Sequence, residues 1–318
     1  MRTHPLPVPA PEFSGTHAPL ITVRQSVARL LVLGVAAAVL CAIVYVVAVL
    51  TPAGQFLADL ILYGRPAGDA SAETIASDAL GTISLTMVVG VTLGLVGIAL
   101  LTGRPQVGVA VLVTIAGANL TTEALKLLIL DRPNLLGDAA YSTANSFPSG
   151  HVTIAASLVL ATLLVVPRVL RAITAVAGAL YVAVVGMSAV AAGWHRLDDA
   201  IGAILVALAW AAIGAAVLAA GWSSLPRRSW SFGTARSGTS LLAFASAVAL
   251  LLGAAVLLYA WINPEFADRT PGANDDAPRV FLGALAVIAG VALGACASLL
   301  WAMRGIVLEP RNRAGGPS

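Results

Sequence analysis

The sequence predicts an all-α, polytopic membrane protein with about eight transmembrane helices. Hydrophobic residues make up 59% of the 318-residue chain and charged residues only 10%, a composition that excludes an ordinary soluble domain. The apolar runs are about 20 residues long and nearly free of charge, which fits helices that cross roughly 30 Å of hydrocarbon. The weakly alternating strands of a membrane barrel do not fit this pattern.

Eight apolar runs are the predicted spans. They cover residues 30–50, 79–102, 106–125, 152–166, 172–193, 200–221, 240–261 and 280–303. Residues 1–29 are polar and contain prolines, whereas a cleaved signal peptide needs a short apolar region and a small-residue cleavage site. We therefore expect the first run to remain as a membrane anchor.

Polar segments divide the chain into five predicted parts. A tail (1–29) precedes a core of six spans (30–222), and a linker (223–239) separates the core from two further spans (240–303) and a second tail (304–318). With a cytoplasmic N-terminus, twelve of the 18 basic residues fall on the cytoplasmic side and six outside. Because Lys and Arg are retained in the cytoplasm, we expect both tails and the linker there.

Composition also bounds the location and the partners. The alanine-rich, lysine-poor sequence favours a bacterial plasma membrane, and the net charge of +3 without a clustered basic face predicts no nucleic-acid partner. Cys41 and Cys296 fall inside predicted spans, where we expect apolar packing and neither a disulfide nor a thiol zinc site. We assign no chemistry to the acidic loop 263–278 or to His4 and His17 of the tail.

Three separate segments deliver reactive side chains to one predicted membrane face, the outer one. They are Lys126 and Arg132 in LKLLILDRPN, Ser149, Gly150 and His151 in PSGH, and His195 and Asp199 in HRLDDAIG. Taken singly, each has a simpler interpretation. A lysine at a helix end can snorkel and pair with Glu123 at i, i+3, while Trp194 and Arg196 can anchor at the interface. The PSGH segment can simply cap a helix.

The combination favours phosphoryl transfer. The N–H groups of a helix that begins at Ser149 and Gly150 attract an anion, and Lys and Arg side chains neutralise phosphate oxygens. His195 and Asp199 stand at i, i+4 and share one helix face if the sixth span begins at His195. The carboxylate can then hold one ring nitrogen protonated and leave the other free to attack phosphorus. His151 is then the natural acid for the leaving oxygen. We expect this chemistry to need no metal ion.

These residues resemble three motifs of the type 2 phosphatidic acid phosphatase (PAP2) family of lipid phosphatases, in chain order K-x6-R-P, P-S-G-H and S-R-x5-H-x3-D. The matching residues are Lys126, Arg132 and Pro133, then Pro148, Ser149, Gly150 and His151, then Ser188, His195 and Asp199. The resemblance covers roughly the first six spans, which implies a PAP2-like six-helix core with two additional C-terminal helices.

The resemblance also implies residue roles. His195 forms a phosphohistidine intermediate, Asp199 orients it, and His151 protonates the leaving group. The implied phosphate-binding residues are Lys126, Arg132, Ser149, Gly150 and Ser188. No cofactor or metal is implied.

Two departures from the motifs stand out. Five residues rather than six separate Lys126 from Arg132, and the arginine of the third motif is replaced by Ala189. Arg196 is a less favoured substitute for that arginine. As neighbours on a helix, the side chains of His195 and Arg196 point about 100° apart.

We therefore expect metal-independent hydrolysis of a lipid phosphate or polyprenyl diphosphate at the outer face, where the headgroup lies in water and the tail in lipid. The expected partners are this substrate and the bilayer. Two alternatives remain open: a phosphoryl or headgroup transferase with the same intermediate, and an inactive lipid-binding descendant, which Ala189 motivates.

Overall fold

The protein is a bundle of α-helices in the computed structural model, which describes residues 23–66, 68–140, 142, 144–221, 233–262 and 276–304. Within these residues there is no strand, and the helices are α1 (Val23–Val44), α2 (Pro52–Tyr63), α3 (Ala70–Gly81), α4 (Leu85–Leu101), α5 (Pro105–Ala124), α6 (Gly150–Val165), α7 (Arg171–Ala191), α8 (Leu197–Gly221), α9 (Gly233–Ile262) and α10 (Ala277–Ala302). The predicted all-α, polytopic membrane fold is confirmed.

The predicted apolar runs coincide with these helices, and the run 79–102 covers the end of α3 together with α4. Among the described residues, six helices are long and apolar enough to cross a membrane. They are α1 and α5, each extended by a π-helical turn, and α7 to α10. Helices α3 and α4 form a pair bent by 47° that counts as a seventh, and α6 is a shorter apolar helix of 16 residues. The chain is thus a multi-pass membrane protein.

Helix α8 lies at the centre of the bundle and is the most buried span. Helices α1, α5 and α6 pack along it, and α10 packs against α7, α8 and α2, with α9 on the outer side of α10. Small residues repeat every fourth position along α8 at Ala203, Ala207, Ala211 and Ala215, and all four are buried. Small side chains at helix contacts let neighbouring backbones approach closely, which drives helix association in lipid.

The predicted polar parts lie partly outside the described residues. These parts include most of the tail 1–29, part of the linker 223–239, most of the loop 263–278, and the tail 304–318 beyond its first residue. Helices α1 and α9 begin inside the predicted tail and linker. The division into a six-helix core and two added helices stays a prediction. Cys41 and Cys296 are buried and unbridged.

Two helices, α2 and α3, occupy a connection that the sequence did not resolve into elements. In α2, Pro52 takes the first helical position and the Thr51 side chain accepts a hydrogen bond from the Gly54 N–H, a typical helix start. Leu60, Ile61 and Leu62 are fully buried. At only 12 residues, α2 is too short to cross the membrane, and it packs beside the same helix ends that carry the predicted site.

The opposite face of the bundle is closed by arginines at helix C-termini. Arg29 of α1 donates hydrogen bonds to the carbonyls of Ala302 and Arg304 at the end of α10. Arg104 donates to the carbonyl of Val165, the last residue of α6, at 3.1 Å. Both contacts satisfy carbonyls left unpaired at a helix end and place positive charge at the negative end of the helix dipole.

Gly64, just after α2, marks a close contact with α10. A Cβ atom at this position would lie 2.0 Å from the Ala277 carbonyl oxygen, which is backbone and cannot move aside. We expect Gly64→Ala to destabilise the protein by about 1–3 kcal/mol, the usual cost of overpacking. Gly90→Ala in α4 is the matched control, because a Cβ there meets nothing within 4 Å. Thermal unfolding of the detergent-solubilised variants tests the difference, and equal unfolding temperatures would contradict it.

Candidate active site

The predicted site residues lie near four helix ends on one face, although only some of them contact one another. These ends are the C-terminal ends of α5 and α7 and the N-terminal ends of α6 and α8. The Ser149 N–H donates to the Asp199 carbonyl at 3.0 Å, which joins the start of α6 to that of α8. Lys126 Nζ lies 3.5 Å from the position that a Cβ on Gly150 would take, which joins α5 to α6.

The turn between α7 and α8 fixes the position of His195. Gly193 adopts a φ of 73°, the left-handed conformation that ends many helices and that glycine tolerates best. The N–H groups of Trp194 and His195 then both donate to the Ala189 carbonyl at 3.1 Å. His195 is therefore held directly before α8, with its backbone tied to the end of α7.

Asp199 is the polar centre of the site. It is the third residue of α8, and its Oδ2 accepts a hydrogen bond from the Arg196 N–H at 2.8 Å, the pattern in which an acidic residue caps its own helix. The same oxygen accepts a hydrogen bond from the Ser146 hydroxyl at 2.6 Å and lies 3.3 Å from His195 Nδ1. Asp199 is fully buried, so these donors hold its carboxylate in one orientation.

The start of α6 carries a buried serine hydroxyl without a hydrogen-bond partner among the described residues. Ser149 stands at the N-cap position, but its side chain makes no capping hydrogen bond. The Ser149 Oγ is buried and has no partner among the described residues. Simple capping therefore does not explain this serine, whereas a hydroxyl left unpaired beside the first N–H groups of a helix suits an anion.

His151 is the second residue of α6, directly after Gly150, and is partly exposed. Its ring centroid is 5.8 Å from that of Trp194, and it interacts electrostatically with both His195 and Lys126. Within the described residues its ring makes no hydrogen bond. The two histidines thus face one region, and one of them keeps its ring nitrogens available.

Lys126 sits in the π-helical turn Leu125–Ile129, after which the chain becomes extended at Leu130. The short first motif therefore leaves α5 through a wide turn and not along a regular helix. Lys126 Nζ lies 3.5 Å from Glu123 Oε1, the pairing that the simpler interpretation expects. Both groups also border Gly150, so the lysine faces the start of α6 as well.

Two of the predicted phosphate-binding residues, Arg132 and Ser188, form no hydrogen bond or ion pair with the two histidines. Arg132 is buried and its Nη1 pairs with Asp198 Oδ2 at 3.3 Å, while its Nη2 has no partner among the described residues. Ser188 is nearly buried in the last turn of α7, and its side chain makes no hydrogen bond to another described residue. Geometry alone joins neither residue to the two histidines.

Arg196 does not replace the arginine missing at Ala189. Its Nε lies 3.0 Å from Asp59 Oδ1, and its Nη2 donates to the Ser142 carbonyl at 2.7 Å. Its guanidinium is therefore engaged with α2 and with the segment before α6. Ala189 itself is fully buried, so the position is filled by packing.

Sequence reasoning missed three residues that support the site: Asp59, Ser146 and Asp198. Asp198, the first acid of the LDD triplet, signalled a charge that needs a partner, and Ser146 lies two positions before the PSGH segment. Asp59 gave no signal, because it sits 137 positions from its partner, Arg196.

Comparison with known families gives one match, which covers the segment that carries the three motifs. The PAP2 superfamily matches residues 107–223, which cover α5 to α8 and all three motifs. The resemblance found in the sequence is confirmed, and it supports phosphatase-type activity on phosphate esters. No curated protein and no solved structure matches the chain.

The Arg132–Asp198 pair gives a stability prediction. Arg132→Gln leaves a buried carboxylate without its cation, which typically costs about 3–5 kcal/mol. The double variant Arg132→Gln/Asp198→Asn removes both charges, and we expect it to recover most of that loss. Thermal unfolding of both variants and of the wild type measures the effect. A double variant no more stable than Arg132→Gln would show that the pair is not the cause.

Proposed function

We propose that this chain, whose α5–α8 segment matches the PAP2 superfamily, hydrolyses a lipid phosphate or polyprenyl diphosphate without a metal ion, through a phosphohistidine intermediate on His195. The observation that carries this proposal is the contact of His195 Nδ1 with Asp199 Oδ2 at 3.3 Å. A carboxylate at Nδ1 holds that nitrogen protonated and leaves Nε2 with a free lone pair. Such contacts often shorten when substrate binds.

The proposed first step transfers the phosphoryl group to the enzyme. Nε2 of His195 attacks the terminal phosphorus, and the bond from that phosphorus to the leaving oxygen breaks. This oxygen is the lipid oxygen in a monophosphate and the bridging oxygen in a diphosphate, where the lipid monophosphate leaves, and protonated His151 gives its proton to it. Asp199 stabilises the positive charge that develops on the His195 ring. In the second step neutral His151 takes a proton from water, the resulting hydroxide attacks phosphorus, and the phosphorus–nitrogen bond breaks to release phosphate.

Phosphate binding in this proposal depends on the start of α6 and on Lys126. The Ser149 hydroxyl and the first N–H groups of α6 can donate to phosphate oxygens, and Gly150 lacks a side chain that would fill the space beside Lys126. Arg132 contributes through Nη2, the nitrogen that Asp198 does not occupy. Acidic partners offset both cations, so the site offers less positive charge than the family motif does.

The proposed location is the extracytoplasmic side of a bacterial plasma membrane. Supporting this, the face opposite the site carries Arg29 and Arg104 at helix ends, as expected for a cytoplasmic face. At the site face, by contrast, Arg132 and Arg196 are both buried in ion pairs. A site at this rim receives the headgroup from water while the lipid tail stays in the bilayer.

Replacing the nucleophile tests the proposal. His195→Ala should lower phosphate release by about a thousandfold or more, because the proposed intermediate forms on its Nε2. Asp199→Asn should retain a small residual rate. The assay measures phosphate released by the purified protein from lipid phosphates and diphosphates in detergent, and thermal unfolding confirms that the variants fold.

The outcomes separate the alternatives. Equal release by wild type and His195→Ala would contradict the phosphohistidine mechanism. Product formed only when a second hydroxyl-bearing acceptor is present would favour a transferase. Lipid binding without turnover would favour the inactive descendant.

Ala189→Arg gives a further prediction. Because Ala189 is fully buried, we expect the larger side chain to overpack the end of α7, lower the unfolding temperature and reduce phosphate release. Ala189→Ser serves as a size control. A rise in activity for Ala189→Arg would instead show that the site still accommodates the charge of the family motif.

A further inference from the structure

We propose that Asp59 of α2 is a positioning residue for the nucleophile His195 and that it acts through Arg196. This inference rests on the proposed function. Asp59 lies outside residues 107–223, the segment that matches the PAP2 superfamily, so the motif residues alone do not account for it.

Arg196 and Asp59 form a buried ion pair. The Arg196 Nε and the Asp59 Oδ1 are 3.0 Å apart, and the two side chains are only 4% and 2% exposed. The Arg196 Nη2 also donates to the Ser142 carbonyl. The guanidinium is therefore fixed at two points, one on α2 and one on the segment that leads into α6.

The fixed Arg196 in turn holds the Asp199 carboxylate in place. Arg196 is the residue before α8, and its backbone N–H donates to Asp199 Oδ2. Ser146, four positions after Ser142, donates to the same oxygen. Two of the three groups around that oxygen thus belong to segments that the Arg196 side chain holds, and the third is His195 itself.

Helix α2 is a suitable support for this arrangement. Its Gln55 donates to the carbonyls of Val49 and Pro133 through Nε2 and accepts from the Leu135 N–H through Oε1. Gly64, after the end of α2, lies tightly against the first residue of α10. Asp59 is therefore mounted on an element tied to α1, to the segment after α5 and to α10.

A role in stability alone does not explain this pair. Desolvation offsets most of the attraction in a buried ion pair, so a neutral pair of similar size is often equally stable. What the charged pair adds is directional geometry, because a guanidinium donates in a fixed plane. Loss of that geometry would move the nucleophile by a fraction of an ångström, enough to slow the chemical step.

The test compares Asp59→Asn, Arg196→Gln and the double variant Asp59→Asn/Arg196→Gln. Asp276→Asn is the matched control, since Asp276 forms an exposed ion pair with Arg279. We expect Asp59→Asn to lower kcat by about tenfold with little change in KM, because orientation affects the chemical step and not binding. The control should match wild type.

The double variant separates positioning from charge compensation. With both charges gone, no unpaired ion is buried, and we expect the unfolding temperature to recover while kcat stays low. A kcat within about threefold of wild type in the double variant would overturn the proposal, as would an unchanged kcat in Asp59→Asn. If Asp59→Asn does not fold, the double variant decides alone.

A readout without turnover keeps this inference distinct from the proposed function. Diethyl pyrocarbonate modifies the unprotonated Nε2 of His195, and mass spectrometry of the corresponding peptide measures the rate. We expect the double variant to react at less than half the wild-type rate, because the carboxylate no longer holds Nδ1 protonated; a rate at or above half would overturn the positioning role. If the wild type releases phosphate from no lipid phosphate or diphosphate, the proposed function fails, and the modification rate still decides the role of Asp59.

Discussion

The buried carboxylate of Asp199 is the interaction on which the site depends. One of its oxygens contacts the Ser146 hydroxyl, the backbone N–H of Arg196 and the ring of His195, which come from two different stretches of chain. The backbone carbonyl of Asp199 accepts a hydrogen bond from the Ser149 N–H, which joins the start of α6 to the start of α8. Because a buried carboxylate without donors is costly, the packing of these helices and the orientation of the His195 ring depend on the same contacts.

The membrane explains why the chemistry gathers at helix ends. Hydrocarbon demands that backbone groups be paired within each span, so chemically useful N–H groups and charges are available only where helices begin or end. Even there, the buried Arg132 and Arg196 each have an acidic partner. The result is a polar layer at one rim that is almost neutral overall, with few groups left for a ligand.

The spans and the motif residues could be predicted from the sequence, and their supports could not. Long apolar runs identify helices because lipid imposes length and composition at once. The i, i+4 spacing of His195 and Asp199 predicts a shared face only for a helix that begins at His195, whereas α8 begins at Leu197, and the turn before α8 brings the two side chains together instead. Asp59 and Gln55 escape such reasoning, since their partners are far away in the chain and α2 is too short to read as a span. Likewise, spacing placed Arg132 near the site but could not show that Asp198 takes one side of its guanidinium.

The contact of Arg29 with the end of α10 has a consequence for biosynthesis. It joins α1 to α10, 273 positions later in the chain, and α10 also packs against α7 and α8. These contacts therefore cannot form until α10 has been synthesised. Until then α7 and α8 lack the neighbour that α10 provides, and apolar surface left exposed in this way favours misassembly and aggregation.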